Sequence, residues 1–217
     1  MNKNEKRARM ALIVEELKGL YPDAKCSLEY GGDAWRLLVM GRLSAQCTDE
    51  RVNIVCRGLF SAFPSARAMA EAPLSEIEKI IKPCGLFRMK AQNIKDASAR
   101  LIRDYDGIVP REMEELLKFE GVGRKIANLL RGDLYGLPAI VADTHCMRIC
   151  GRLGMYKNGM KDPVKTEKIL SELVEPSEQS DLCHRLVLFG RDICTARSPK
   201  CSECEIGKRG LCENQIK

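Results

Sequence analysis

The segment Leu117-Lys-Phe-Glu-Gly-Val-Gly-Arg-Lys-Ile-Ala-Asn128 contains two glycines, Gly121 and Gly123, separated by a single valine. This spacing predicts a turn too tight for side chains, in which backbone amides can approach a phosphate closely. A helix is predicted to begin directly after the turn, with its positive end pointing at the same anion. Lys125 lies at the start of that helix, where its amine would stand beside the bound anion. Asp143 follows in the segment Val141-Ala-Asp-Thr-His145, and its carboxylate could take a proton or face a developing cation.

Apolar residues recur with helical spacing along most of the chain, whereas strand-like alternation is almost nowhere found. One such face contains Met10, Ile13, Val14 and Leu17, and another contains Val52, Val55, Cys56, Leu59 and Phe60. Thr48 is the predicted N-cap of the second helix, and Ser75 with Glu78 is predicted to form a capping box for a third. The sequence therefore predicts an all-α fold.

Composition is that of an ordinary globular protein, and the charge is compatible with a polyanionic partner. Only 5% of the 217 residues are aromatic, which argues against a β-sandwich and against binding by base-stacking platforms. The net charge of +6 suits nucleic acid, although a basic enzyme without such a partner would also carry it. The apolar run Met10–Val14 is too short, and its flank Asn2–Arg9 too polar, for a secretory signal, and no stretch is long enough to span a membrane. We therefore expect an intracellular protein.

Four of the eleven cysteines form the pattern C-x6-C-x2-C-x7-C near the end of the chain: Cys194, Cys201, Cys204 and Cys212. Four thiolates so close together in a reducing compartment predict metal ligands. Structural zinc sites usually use two close pairs, whereas here one close pair has a distant single cysteine on either side. The spacing alone leaves zinc and a [4Fe–4S] cluster equally open. The other seven are predicted to be small buried hydrophobes: Cys26, Cys47, Cys56, Cys84, Cys146, Cys150 and Cys183.

The segments 117–128 and 141–145 resemble the helix-hairpin-helix and catalytic-aspartate motifs of the endonuclease III family of DNA glycosylases with AP lyase activity. The resemblance extends to Leu43-Ser-Ala-Gln-Cys-Thr-Asp49, to Gly85-Leu86 and to the cysteine quartet, so it covers nearly the whole chain. It implies a two-domain helix-hairpin-helix DNA glycosylase fold. A six-helix domain would span residues 27–137, with the helix-hairpin-helix at about 111–134. An iron–sulfur cluster domain would combine residues 1–26 and 138–217.

The resemblance also implies a base-excision repair enzyme that removes oxidised pyrimidines from duplex DNA. Lys125 would attack the sugar C1′ to form a Schiff base, and β-elimination would then cleave the 3′ side of the abasic site. Asp143 would stabilise the cationic sugar or assist proton transfer. The cofactor would be a [4Fe–4S] cluster on the cysteine quartet, whose last gap of seven residues is two longer than the family's. Loop insertions of this kind are inexpensive and do not threaten ligation.

The implied partner is double-stranded DNA with damaged bases or abasic sites, bound by a monomer that contacts no membrane. In a bacterium, its location would be the cytoplasm or nucleoid. After the nucleotide is flipped out, Gln46 and Leu86 would fill the gap in the base stack. Each has a plainer interpretation, Gln46 as a polar residue near a helix end and Leu86 as a core leucine. The residues expected at the DNA backbone are Gly121, Val122, Gly123, Arg124, His145, Arg197 and Lys200.

Three positions depart from the family pattern and leave substrate range and DNA affinity open. Glu120 stands where the hairpin usually has proline, Ile126 replaces a small hydroxyl residue, and Arg42 lies in a normally apolar stretch. The alternatives are a related glycosylase with another lesion preference, such as mismatched adenine, 8-oxoguanine or an alkylated base, and a non-catalytic DNA-binding relative. The presence of both Lys125 and Asp143 disfavours the last.

Overall fold

The computed structural model describes residues 1–213, and within this range all regular structure is helical, as the sequence predicts. The helices are α1 Lys3–Leu20, α2 Ala34–Leu43, α3 Asp49–Ala62, α4 Ala66–Glu71, α5 Leu74–Ile81, α6 Phe87–Tyr105, α7 Met113–Leu116, α8 Arg124–Tyr135, α9 Thr144–Arg152, α10 Pro163–Leu173, α11 Gln179–Asp192 and α12 Glu205–Lys208. Two short 3₁₀ helices, Lys82–Cys84 and Pro176–Glu178, complete them. None of the helices in this range is both long and apolar enough to cross a membrane.

The chain divides into two compact units, Cys26–Tyr135 and Met1–Lys25 combined with the chain from Gly136 onward. The first unit contains α2 to α8 around one apolar core. Helix α2 is buried along nearly its whole length because its residues face several neighbouring helices at once. Helix α3 buries the predicted face, and Thr48 caps it by accepting a hydrogen bond from the Arg51 amide at 3.4 Å. Inside the core, the Trp35 indole donates to the Ser98 hydroxyl at 2.9 Å, which satisfies both polar groups.

The start of α5 differs from the prediction. Pro73 is the N-cap and the helix begins at Leu74, so Ser75 lies inside the first turn and the predicted capping box is wrong. Ala72 precedes the proline and is extended, with ψ at 145°, because the proline ring disfavours helical geometry at that position. The break separates α4 from α5, and the unit contains seven α-helical segments, of which α7 is a single turn of four residues.

The second unit packs α1 against α10, α11 and α12, and α9 against α11. The predicted face of α1 is buried, and Asn2 and Glu5 form a capping box at its start. Five of the seven scattered cysteines are buried as predicted, whereas Cys26 and Cys47 are only half-buried at the edge of the core of the first unit. Cys146 and Cys183 are buried neighbours: the Cys150 thiol and burial raise the pKa of Cys146 well above the usual range, and the Cys146 thiol and burial do the same for the pKa of Cys183. They are therefore neutral packing groups.

Candidate active site and cysteine cluster

The predicted turn lies between α7 and α8. Gly121 has φ at +75°, and the Val122 amide donates to the Phe119 carbonyl at 3.1 Å. Gly121 and Gly123 are exposed, whereas the Val122 side chain is buried and anchors the turn. A contact between Val122 and DNA would therefore involve its backbone. Helix α8 begins immediately afterwards, and the amides of its first turn have no partners within the helix.

Lys125 occupies the second position of α8 and is exposed, as is Arg124 before it. The Gly123 carbonyl accepts the first helical hydrogen bond, from the Ala127 amide at 3.0 Å. Ile126 points inward, and a Cβ placed on Gly41 would lie 3.2 Å from its Cγ2 atom. The isoleucine at this position therefore fills the space that Gly41 leaves in α2, which explains this departure from the family pattern.

Arg42 lies directly behind the turn. A Cβ placed on Gly121 would be 2.1 Å from Arg42 Nε and 2.5 Å from the Asn93 side-chain amide. With the amide oriented to satisfy its hydrogen bonds, the Asn93 oxygen accepts from Arg42 Nε at 2.9 Å and from Nη2 at 2.7 Å, and its nitrogen donates to the Met89 carbonyl. Burial lowers the pKa of Arg42, but a guanidinium in a protein keeps its charge. Arg42, which replaces an apolar residue of the family pattern, thus places a cation beneath the hairpin.

Glu120 is paired with Arg100 of α6. Arg100 Nη2 lies 2.6 Å from one carboxylate oxygen, and Arg100 Nε lies 3.2 Å from both. These hydrogen bonds hold the pKa of Glu120 below its usual value. The negative charge that replaces the family's proline is therefore compensated within the same unit and is not left facing the turn.

Gln46 and Leu86 share an unusual, left-handed backbone conformation. Gln46 has φ at +54° and Leu86 at +46°, and only Asp106 among the other non-glycine residues of the described chain is also in this region. Both side chains are exposed; Leu86 is 53% exposed, so its interpretation as a core leucine is wrong. Strained backbone of this kind persists only where its surroundings hold it, and it concentrates at functional sites.

Asp143 is the N-cap of α9. Its Oδ1 atom accepts a hydrogen bond from the Cys146 amide at 2.7 Å, which fixes the orientation of the half-buried carboxylate. His145 follows in the first turn, and its Nδ1 atom lies 3.3 Å from Arg148 Nη2. A Cβ placed on Gly190 would be 2.4 Å from the same nitrogen, so the imidazole packs closely against α11.

The four predicted ligands, Cys194, Cys201, Cys204 and Cys212, line one pocket together with Phe189, Ile193, Leu153 and Arg152. Arg152 Nη1 donates to the Cys194 sulfur at 3.3 Å, and the Gly207 amide donates to the Cys204 sulfur at the same distance. Arg152 also donates to the carbonyls of Thr195 and Ala196, which ties the loop after Cys194 to α9. Thiolates around an apolar pocket with N–H···S bonds form a donor set that fits an iron–sulfur cluster.

No three Cys, His, Asp or Glu side chains in residues 1–213 converge closely enough to hold a single metal ion.

On the loop between the first two cysteines, Arg197 is exposed and Lys200 is about half-exposed, with its Nζ atom 3.9 Å from Asp192. Both side chains are therefore accessible to solvent.

Two residues of this region, Asn93 and Lys90, are not among those predicted from the sequence. Lys90 is fully buried, and its Nζ atom donates to the carbonyls of Leu43 and Cys84, each at 2.8 Å. It stands four residues before Ile94 on the buried face of α6, so the helical spacing contained a signal that it points inward. Nothing in the local sequence distinguishes Asn93.

Comparison with known proteins identifies the family. Residues 39–176 match the HhH-GPD superfamily base excision DNA repair protein family, and residues 194–207 match the iron-sulfur binding domain of endonuclease III. Endonuclease III of Synechocystis sp. is 42% identical over 202 residues, which cover 93% of this chain and 91% of that protein. The solved structure of a non-covalent endonuclease III–DNA complex superposes with a TM-score of 0.89 at 38% identity, over 98% of this chain and 96% of that one. A trapped endonuclease III–DNA covalent intermediate, an estranged-adenine complex, gives the same values.

These matches resolve the choice between zinc and iron, because the iron-sulfur domain match includes the first three cysteines of the quartet. The match ends before Cys212, in the lengthened final gap. The cofactor is a [4Fe–4S] cluster, and the enzyme is a base-excision repair DNA glycosylase with AP lyase activity. The helix-hairpin-helix turn, the fold and the cysteine pocket agree with this assignment, and the chain belongs to the endonuclease III family.

Proposed function

We propose that the enzyme excises oxidised pyrimidines from duplex DNA through a Schiff base on Lys125. The observation that carries this proposal is the exposed amine in the first turn of α8, directly after the exposed glycine turn. The amine attacks the sugar C1′ as the C1′–N bond to the base breaks, and the base leaves with a proton. Ring opening gives the protonated imine, which acidifies the C2′ hydrogen. Loss of that proton expels the 3′ phosphate by β-elimination.

The turn supplies the phosphate site for this chemistry. The exposed backbone of Gly121 and Gly123 and the first amides of α8 present donors to one phosphate, and Val122, whose amide is bound to the Phe119 carbonyl, anchors the turn that carries them. Arg124 is exposed on the same helix end, and the buried Arg42 guanidinium lies behind Gly121. Because Arg100 neutralises Glu120, the local field favours an anion. A phosphate held here would bring the neighbouring sugar towards Lys125.

Asp143 is the proposed electrostatic partner of the reaction. A carboxylate stabilises the oxocarbenium character that develops at the sugar as the base departs, and it can assist proton transfer. Its capping bond to the Cys146 amide supports this role because it presets the carboxylate orientation before substrate binds. Capping and catalysis are compatible, since the cap uses one oxygen of the carboxylate.

Gln46 and Leu86 are the proposed wedge residues. A flipped nucleotide leaves a gap in the stack, and the enzyme must stabilise the opened duplex. The exposed, left-handed positions of both residues support this assignment, as does the apolar character of an exposed leucine.

The remaining assignments concern the cluster ligands, further phosphate contacts, the domain boundaries, and the oligomeric state and location of the enzyme. We assign Cys194, Cys201, Cys204 and Cys212 as the cluster ligands, and His145, Arg197 and Lys200 as phosphate contacts. The cluster domain comprises residues 1–26 and 138–217, and the helix-hairpin-helix domain residues 27–137; the two compact units support this division. When bound, the cluster would tie the loop that carries Arg197 and Lys200 to α9 and α11, whose residues line the cysteine pocket. Metal binding of this kind commonly contributes to the free energy of folding. The enzyme is expected to act as an intracellular monomer on duplex DNA that contains a damaged base or abasic site.

Borohydride trapping tests the central assignment. The wild-type enzyme should form a covalent adduct with duplexes that contain an abasic site or an oxidised pyrimidine. Lys125→Gln should abolish trapping and retain duplex binding. The matched control is Lys118→Gln, which removes an equal charge from the same motif but only breaks an exposed ion pair with Glu115. Trapping that survives in Lys125→Gln, or that disappears equally in Lys118→Gln, would refute the nucleophile.

A panel of duplexes with defined lesions tests the substrate. Oxidised pyrimidines should be excised faster than mismatched adenine, 8-oxoguanine or alkylated purines under single-turnover conditions. A faster rate on one of the purine substrates would replace the proposed specificity but keep the mechanism. Duplex binding without any trapping would instead favour a non-catalytic relative.

A further inference from the structure

We propose that Lys90 is a positioning residue that holds the Gln46 and Leu86 segments in one fixed arrangement before DNA binds. The inference rests on the proposed function, which assigns these two side chains to the base stack.

Lys90 joins two helix ends. Leu43 is the last residue of α2, and Cys84 is the last residue of the 3₁₀ helix Lys82–Cys84. The Lys90 Nζ atom donates to both of their carbonyls at 2.8 Å and is completely buried. The final carbonyls of a helix lack partners within it and carry partial negative charge, so a buried ammonium between two such ends is satisfied. An unpaired lysine at this depth would be strongly unfavourable.

The two segments that leave these helix ends carry the wedge residues. Gln46 lies in the turn that follows Leu43, and Leu86 follows Cys84 after a single glycine, Gly85. Each wedge residue has a left-handed backbone, which is strained for a non-glycine residue. Such conformations persist where neighbouring groups hold the backbone in place. Lys90 binds the residue just before each strained turn.

A second contact joins the same two segments. The Cys47 thiol, next to Gln46, lies close to the Cys84 thiol, next to Gly85, and burial together with this neighbour raises the pKa of Cys84 to about 11. Lys90 lies at the start of α6, and its amide donates to the Leu86 carbonyl at 3.1 Å. The lysine therefore fixes Leu86 through its backbone and both helix ends through its side chain.

The expected consequence is specific to duplex substrates. Opening a stacked base pair is energetically unfavourable, and two side chains at a preset separation stabilise the open state without an ordering cost. Attack on an abasic site in a single strand needs no wedge. Loss of the Lys90 bonds should therefore impair excision from duplex DNA and leave the lyase step on single-stranded abasic DNA intact.

The test compares Lys90→Met, which keeps the length of the side chain but removes its donors, with Lys95→Gln. Lys95 is a matched control on the same helix because its Nζ atom also donates to a backbone carbonyl, that of Ala72, outside both wedge segments. In Lys90→Met, single-turnover excision of an oxidised pyrimidine from duplex DNA should fall by roughly 10- to 100-fold, the effect of losing one or two charge-assisted hydrogen bonds. The fluorescence increase of 2-aminopurine placed beside the lesion should shrink in parallel. Cleavage of a single-stranded abasic oligonucleotide should stay within a factor of about three.

An equal loss on both substrates in Lys90→Met, or an equal duplex defect in Lys95→Gln, would overturn the proposal. If Lys90→Met does not fold, Lys90→Gln replaces it, combined with Gln46→Ala and Leu86→Ala. In the background without wedge side chains, Lys90→Gln should cause no further loss of duplex excision, whereas an additive loss would refute the coupling. Failure of the proposed function is recognised separately, since the wild-type enzyme would then give no borohydride adduct.

Discussion

Gly121→Ala provides a sharp test of the hairpin because the structure separates its two costs. The first cost is conformational: Gly121 has φ at +75°, where an alanine is strained by on the order of 1–2 kcal/mol. Part of this is offset because alanine restricts the unfolded chain by about 0.4–1 kcal/mol, which leaves a net loss of about 1 kcal/mol. The second cost is steric, since the new methyl group would lie 2.1 Å from Arg42 Nε.

The steric cost cannot be relieved by moving a free side-chain end. Arg42 is only 8% exposed, and its guanidinium is bound by the Asn93 amide. Displacing it breaks buried hydrogen bonds, which costs about 1–3 kcal/mol. We expect Gly121→Ala to lose about 3 kcal/mol in total, equivalent to roughly 6–12 °C in melting temperature for a chain of this size.

Gly31→Ala isolates the conformational term. Gly31 is in the same unit with φ at +62°, and no atom lies within 4 Å of its added methyl group. This variant should lose only about 1 kcal/mol, or roughly 2–4 °C. Thermal unfolding by circular dichroism measures both, and fluorescence anisotropy measures binding to an abasic duplex, which should weaken in Gly121→Ala alone. Equal melting temperatures and equal affinities in the two variants would refute the role of Arg42 as packing behind the turn.

Three further predictions concern Asp143, the cluster and Glu120. Asp143→Asn should slow single-turnover excision by about 10²–10³ and leave the melting temperature nearly unchanged, since asparagine also caps helices; Asp162→Asn, which alters the N-cap of α10, is the control that should excise at the parental rate. Cys201→Ser should lose iron and the visible absorption of the purified protein and should melt earlier, whereas Cys26→Ser, in the other unit, should retain both. Because Arg100 lowers the pKa of Glu120 in the folded state, the stability that this carboxylate contributes is present above the unfolded value of about 4.3 and is lost as pH falls through the lower folded value. The stability difference between wild type and Glu120→Gln should therefore be constant from pH 5 to about pH 8 and shrink below about pH 4 in urea titrations; a difference that grows with acid would contradict the ion pair.

Local pattern in the sequence was sufficient for the helical fold, the glycine turn and the cysteine quartet. Helical periodicity identifies a buried face whenever apolar residues recur at the right spacing, as at Val52 and Leu59, and the structure buries both. The turn at Gly121 follows from the conformational freedom of glycine, and the position of Lys125 follows from the turn. The proposed metal ligation by the four cysteines rests on thiolate chemistry, and their spacing alone does not distinguish iron from zinc. The Ser75–Glu78 pattern does not mark the start of α5, because Pro73 is the N-cap and the helix begins at Leu74.

Only the tertiary structure decided what Arg42, Glu120 and Lys90 do. Arg42, Asn93 and Gly121 are far apart in the sequence, and nothing local indicates that a guanidinium lies behind the turn. The sequence shows Glu120 only as a charge beside a phosphate site. In the structure it is paired with Arg100, which lies 20 residues earlier in the chain. Lys90 reads as an ordinary helical lysine, yet its ammonium joins the ends of two helices. In each case the partner is supplied by another helix of the packed unit, and a short-range pattern contains no information about which polar groups packing will bring together.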